Sequence, residues 1–178
     1  MTHLRRVTVA LLATLLMAGC GAAATPAADP PSMGEAPAPL TLNPALGKPI
    51  VTFGGLVNGG QPLTADLASL DALPGQTLTV MEPFLLQSMT FTGVGFADLL
   101  NAAEATGQSV TIHALDDYQV TLDSAVLREP GVMLATRADG KPIDGASGGP
   151  VRLVFPASSA SGKDTDLWVW SIDQITVA

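Results

Sequence analysis

Thiol chemistry is almost missing from this chain: its 178 residues contain one cysteine, Cys20, near the N-terminus. Disulfides, zinc–thiolate sites and cysteine nucleophiles are therefore excluded from the part that folds. Histidine is nearly as scarce, since beyond the leader only His113 is left, and one imidazole does not build a metal site. A partly buried structural role is the expectation for it. Eight basic residues face sixteen acidic ones. Such a surface repels nucleic acid and anionic lipid head groups, so no nucleic-acid partner is expected. Aromatic residues make up only 4% of the chain. No apolar run is long enough for a membrane-spanning helix.

What is present begins with an export signal. Arg5 and Arg6 precede the apolar run Val7–Ala18, and residues 1–19 end in small residues before Cys20, the form of a cleaved signal peptide. Leu16-Met17-Ala18-Gly19-Cys20 resembles a bacterial lipobox, with Met17 where leucine is usual, which makes Cys20 the lipidation site. Acyl chains on Cys20 would hold the protein on the periplasmic face of a membrane, the outer one in a Gram-negative cell. A twin-arginine signal is the weaker alternative, because Leu4 and Thr8 flank the arginine pair poorly. Cleavage removes two basic residues and no acid, leaving six against sixteen, a net charge of −10. Residues 20–43 are rich in alanine and proline without apolar periodicity and read as a flexible tether. Residues 44–178 are then the folded domain, long enough for one core.

Within the domain, apolar alternation and turn residues predict strands at Pro49–Val57, Thr77–Met81, Met89–Thr92, Ser109–Leu115, Tyr118–Leu122, Gly131–Arg137, Val151–Phe155 and Leu167–Val177. Helical spacing predicts helices at Thr64–Leu73, with Thr64 as N-cap, at Phe96–Ala105 after a Gly93–Gly95 turn, and a short one at Asp123–Leu127. Many short strands with few helices argue for a mixed α+β class rather than a doubly wound sheet.

The most informative stretch is Asp139–Pro156. A glycine-rich turn there delivers Arg152 into the apolar run VRLVF, which would normally exclude a guanidinium. Arg152 must pair with a carboxylate or meet a polar ligand at the mouth of the strand. Gly145-Ala146-Ser147-Gly148-Gly149 matches a serine-hydrolase elbow in letters only. That elbow needs a strand before it, a helix after it and a downstream histidine, whereas a turn precedes, a strand follows, and His113 lies upstream. The glycines read better as a turn that lets the backbone pass close to something. Gly93-x-Gly95 lacks the third glycine of a dinucleotide loop, and Asp164-Thr165-Asp166 lacks the glycine and terminal glutamate of a calcium loop. Trp168 and Trp170 alternate on the predicted last strand, as core filler or as a stacking platform, with core filling preferred for Trp170.

Taken in order, Phe91-Thr92-Gly93-Val94 with Ala97-Asp98-Leu99-Leu100, then Ala114–Leu122, Met133–Ile143, Gly148–Pro156 and Val169–Ile175 resemble the oxidoreductase molybdopterin-binding domain of the sulfite oxidase fold. The resemblance spans residues 77–178 and implies a mixed α+β fold with a curled sheet. It also implies that Arg152, the arginine of the G-x-P-V-R motif, contacts the pterin cofactor. The chain departs from the family in three ways. No cysteine precedes the FTGV strand to bind molybdenum, where Val80, Met81 and Glu82 stand instead. Ser147 stands where family enzymes often carry histidine, and Asp173 and Gln174 replace basic residues of the closing strand. A thioether or carboxylate is a poor substitute for thiolate on an oxo-molybdenum centre, so molybdenum is not expected, while a pterin-like ligand is. Arg152, Arg137, Asp117, Tyr118, Glu82 and Phe84 are the candidate ligand-binding residues, with a structural ion pair as the competing role of Arg137. The implied function is a non-catalytic, membrane-anchored binding protein that relays to a membrane sensor protein. The alternatives are a molybdopterin-dependent oxidoreductase with a non-cysteine ligand or an auxiliary subunit, and a structural envelope module.

Overall fold

Strand formation follows the side-chain alternation closely. In β1, Val51–Gly55, Val51 and Phe53 are buried while Thr52 and Gly54 are half-covered, as a strand with one face on a core requires. The computed structural model describes residues 38–178. The signal peptide, Cys20 and most of the proposed tether lie outside them.

Two five-stranded sheets form the body. The first contains β1, β2 (Leu63–Ala65), β5 (Ser109–Ala114), β6 (Gln119–Asp123) and β10 (Ile172–Val177), in the order β2-β1-β10-β5-β6. Only the β1–β10 pairing is parallel there. The second is antiparallel and contains β3 (Gly75–Glu82), β4 (Gln87–Gly95), β7 (Met133–Ala138) and β8 (Lys141–Pro142), with β9 (Arg152–Val154) also paired to β7. Apolar residues from both sheets join a single core with the buried face of α2, Phe96–Ala102. Two shorter α-helices, α1 (Leu67–Asp71) and α3 (Ser124–Leu127), and four 3-10 turns lie among the described residues. The expected mixed α+β class holds, delivered as two sheets rather than one.

Several boundaries differ from the sequence reading, and five of them have a physical reason in the structure. The cap of α1 is Asp66, not Thr64, which pairs in β2: the Asp66 carboxylate accepts from the Ser69 amide at 2.8 Å and the Ser69 hydroxyl at 2.6 Å. Gly93–Gly95 is not a turn but the end of β4. A Cβ at Gly93 would come within 2.1 Å of the Leu134 carbonyl oxygen, so glycine there lets β7 approach. The folded unit starts before Pro44, because buried Leu42 joins the core and its amide donates to the Ala102 carbonyl at 2.9 Å. That bond, with one from Asn58 to Ala103, occupies carbonyls at the end of α2, which stops there instead of continuing to Ala105. Finally, the last strand begins at Ile172 rather than Leu167. Ser171 takes a left-handed φ of 52°, and Trp168 and Trp170 belong to the irregular segment before it.

Candidate functional site

Arg152 resolves the question its sequence context poses, since its Nη2 lies 2.6 Å from Glu82 Oε1 and the two side chains are 1% and 0% exposed. Glu82 is the last residue of β3, and its other oxygen accepts from the Phe84 amide at 2.9 Å and from the Leu85 amide, so this carboxylate also closes the turn into β4. The guanidinium carbon sits 3.9 Å from the Trp170 ring centroid and 5.4 Å from that of Phe91. Burial lowers the arginine's pKa from its usual value, and the Glu82 carboxylate opposes that shift. Its Nε has no hydrogen-bond partner.

Trp170 connects this buried pair to the surface. Gly148, at φ 80°, lies so close to the indole that a Cβ would meet a ring carbon at 2.6 Å. The glycine-rich turn thus passes close to Trp170. Ser147 sits in a 3-10 turn capped by Asp144, with left-handed Gly148 after it, which is no strand-to-helix elbow. On the outer side, Phe84 meets Trp170 edge-on, with centroids 5.4 Å apart and planes at 85°.

Here an open cleft of about 340 Å³ forms from three segments. The β3–β4 turn contributes Phe84, the β5–β6 hairpin contributes Ala114, Asp116 and Tyr118, and residues 165–170 supply Thr165, Asp166 and both tryptophans. Tyr118 ties two of the walls together, its hydroxyl donating to the Asp166 carbonyl at 2.8 Å. Burial first, then the charges of Asp166 and Asp164, raise the Tyr118 pKa. Trp168 is fixed from behind by a 2.9 Å bond from its Nε1 to the Gly162 carbonyl and by Phe155, 6.0 Å away.

The six sequence candidates do not converge on one surface. Phe84 and Tyr118 line the cleft, 52% and 43% exposed. Arg152 and Glu82 form the internal pair and are not among its lining residues. Arg137 makes two 2.7 Å bonds to Asp71, the structural ion pair that competed with its ligand role. Asp117 occupies the β5–β6 turn with its side chain 98% exposed, 3.8 Å from His113. The stronger partner of His113 is Asp173 at 2.8 Å, and that bond chiefly raises the histidine's pKa.

Asp116 and Asp166, which read from sequence as a turn residue and a solvated acid, are cleft residues, and so is half-buried Trp170, the tryptophan assigned to core filling. Trp168 is the more deeply buried of the two. The clue in the sequence was two acidic turns, Asp116-Asp117 directly before Tyr118 and Asp164–Asp166 two residues before Trp168.

An oxo-molybdenum centre does not fit this donor set. Glu82, the residue near the expected cysteine position, has both oxygens engaged, one with Arg152 Nη2 and the other with the Phe84 and Leu85 amides, and no thiolate stands there.

A family model described as the oxidoreductase molybdopterin binding domain matches residues 56–175. The crystal structure of the sulfane dehydrogenase SoxCD from Paracoccus pantotrophus is similar in fold, with a TM-score of 0.57 and 20% sequence identity over 71% of this chain. This chain spans 37% of the length of that one. Among curated proteins, none matches the sequence.

Proposed function

Because the chain belongs to the oxidoreductase molybdopterin-binding domain family, we propose that it is a non-catalytic member that keeps the fold and binds a flat, pterin-like heterocycle in the aromatic cleft. The observation that carries this reading is the buried Glu82–Arg152 pair. The arginine that the family resemblance assigns to the cofactor already has an anionic partner from its own chain, and that partner comes from the neighbourhood of the absent metal ligand. The cleft beside the pair suits a planar ring: its size lies in the range of small-molecule sites, and Phe84, Tyr118 and Trp170 offer stacking surfaces. Anchoring through Cys20 and residence on the periplasmic side belong to the same proposal, supported by the lipobox-like sequence. So does a membrane sensor partner, which would read cleft occupancy from the exposed β3–β4 tip formed by Met81, Phe84, Leu85 and Leu86.

The test is a titration of the folded domain with a reduced pterin, followed by tryptophan emission, because both tryptophans of the chain line the cleft. Saturable quenching that weakens in Tyr118→Ala and Phe84→Ala, two exposed positions whose loss leaves the core intact, is the expected result. Quenching that neither variant alters would place the ligand elsewhere and defeat the assignment.

A further inference from the structure

The charge around the cleft opposes what an anionic cofactor needs. Its two charged lining residues, Asp116 and Asp166, are both acids, and no lysine, arginine or histidine lines it. Arg152, the cation stacked on the Trp170 ring, is paired with Glu82 and is 1% exposed. Asp164 adds to the same field, since its charge and that of Asp166 both raise the Tyr118 pKa. The aromatic walls act in the same direction, because ring faces attract cations through their quadrupole and gain most where water is partly excluded. The net charge of −8 for the whole chain extends the attraction beyond the cleft.

We propose that the cleft selects a positively charged, unphosphorylated heterocycle and rejects phosphorylated or carboxylated ones. The acids at Asp116 and Asp166 provide the charge discrimination, and Phe84, Tyr118 and Trp170 provide the ring contacts. This specificity rests on the binding function proposed above and sharpens it to one charge class. It also separates the cleft from any site built to hold the phosphate of a molybdopterin, since a phosphate placed there would face carboxylates and find no cationic partner.

Three probes of similar shape test it by titration calorimetry near neutral pH: N-methylquinolinium as the cation, quinoline as the neutral ring and quinoline-2-carboxylate as the anion. The cation should bind roughly tenfold more tightly than quinoline, and the anion more weakly than either. The cation's advantage should shrink between about 50 and 500 mM salt. It should vanish in Asp116→Asn/Asp166→Asn, whose exposed side chains make folding insensitive to the change. Quinoline or its carboxylate binding as tightly as the cation, with Tyr118→Ala still weakening them, would overturn the charge selection and leave heterocycle binding in place. Failure of all three probes and of a reduced pterin to bind would overturn both.

Discussion

Replacing Glu82 by glutamine should be among the most destabilising single changes available in the domain, although the two side chains have the same shape. The carboxylate and guanidinium are 2.6 Å apart at their nearest atoms and essentially without solvent. Taking the charge centres as about 4 Å apart with an effective dielectric of about 20, their attraction is about 4 kcal/mol. Removing one charge also strands the other in a dry environment, so the cost expected for Glu82→Gln or Arg152→Met alone is about 3–5 kcal/mol. A domain of this size loses about 2–4 °C in Tm per kcal/mol, which translates to a fall of roughly 6–20 °C. The double variant Glu82→Gln/Arg152→Met removes both charges and should lie within about 2 kcal/mol of wild type, closer than either single. Urea unfolding and calorimetry of the four proteins measure the cycle. Singles that each cost less than about 1 kcal/mol, or costs that simply add in the double, would refute the view that this is a strongly coupled buried pair.

Gly148→Ala should destabilise the domain by about 1–3 kcal/mol and shift tryptophan emission, because its φ of 80° disfavours a side chain and the new methyl would strike the Trp170 ring; an unchanged spectrum would contradict the packing described. Arg137→Met should cost less than about 1 kcal/mol, as expected for a half-exposed pair with Asp71, and leave quenching by a reduced pterin unaltered. In the domain beginning at residue 38, His113 is the single histidine, and its NMR titration should give a pKa above the ordinary 6.5 that falls in Asp173→Asn. Since the folded-state pKa is the raised one, the stability His113 contributes is complete below the unfolded value near 6.5 and is lost as pH rises through the folded value.

Much of the fold was legible because its signals are local. The period-2 alternation of Ser109–Ala114 and the paired leucines of Phe96–Ala102 report burial directly. The errors arose where one pattern has two physical origins. Glycines at 93 and 95 mark a turn or a close strand approach with equal force, and only the position of β7 decides. Leu167–Trp170 alternates like a strand, but Trp168 and Val169 are buried from an irregular segment that a left-handed Ser171 separates from β10. The Ala/Pro-rich composition of the tether hid Leu42, whose burial depends on a helix end sixty residues away.

The candidate site was legible in half. An arginine inside VRLVF demanded a partner, and the family motif pointed to a cofactor. The partner is Glu82, seventy positions earlier, and no spacing rule joins them. Phe84 and Tyr118, picked out as neighbours of the motif in loops and at strand ends, do stand in the cleft, while the places of Asp116, Asp166 and Trp170 there needed the two hairpins and the final loop to be brought together.

Whether Glu82 and Arg152 mark a binding protein rather than a molybdenum enzyme is decided by purifying the protein from cells that make molybdenum cofactor and measuring its molybdenum content. Molybdenum far below stoichiometric, in wild type and in Glu82→Gln alike, is the expected result. One molybdenum per folded chain would contradict it.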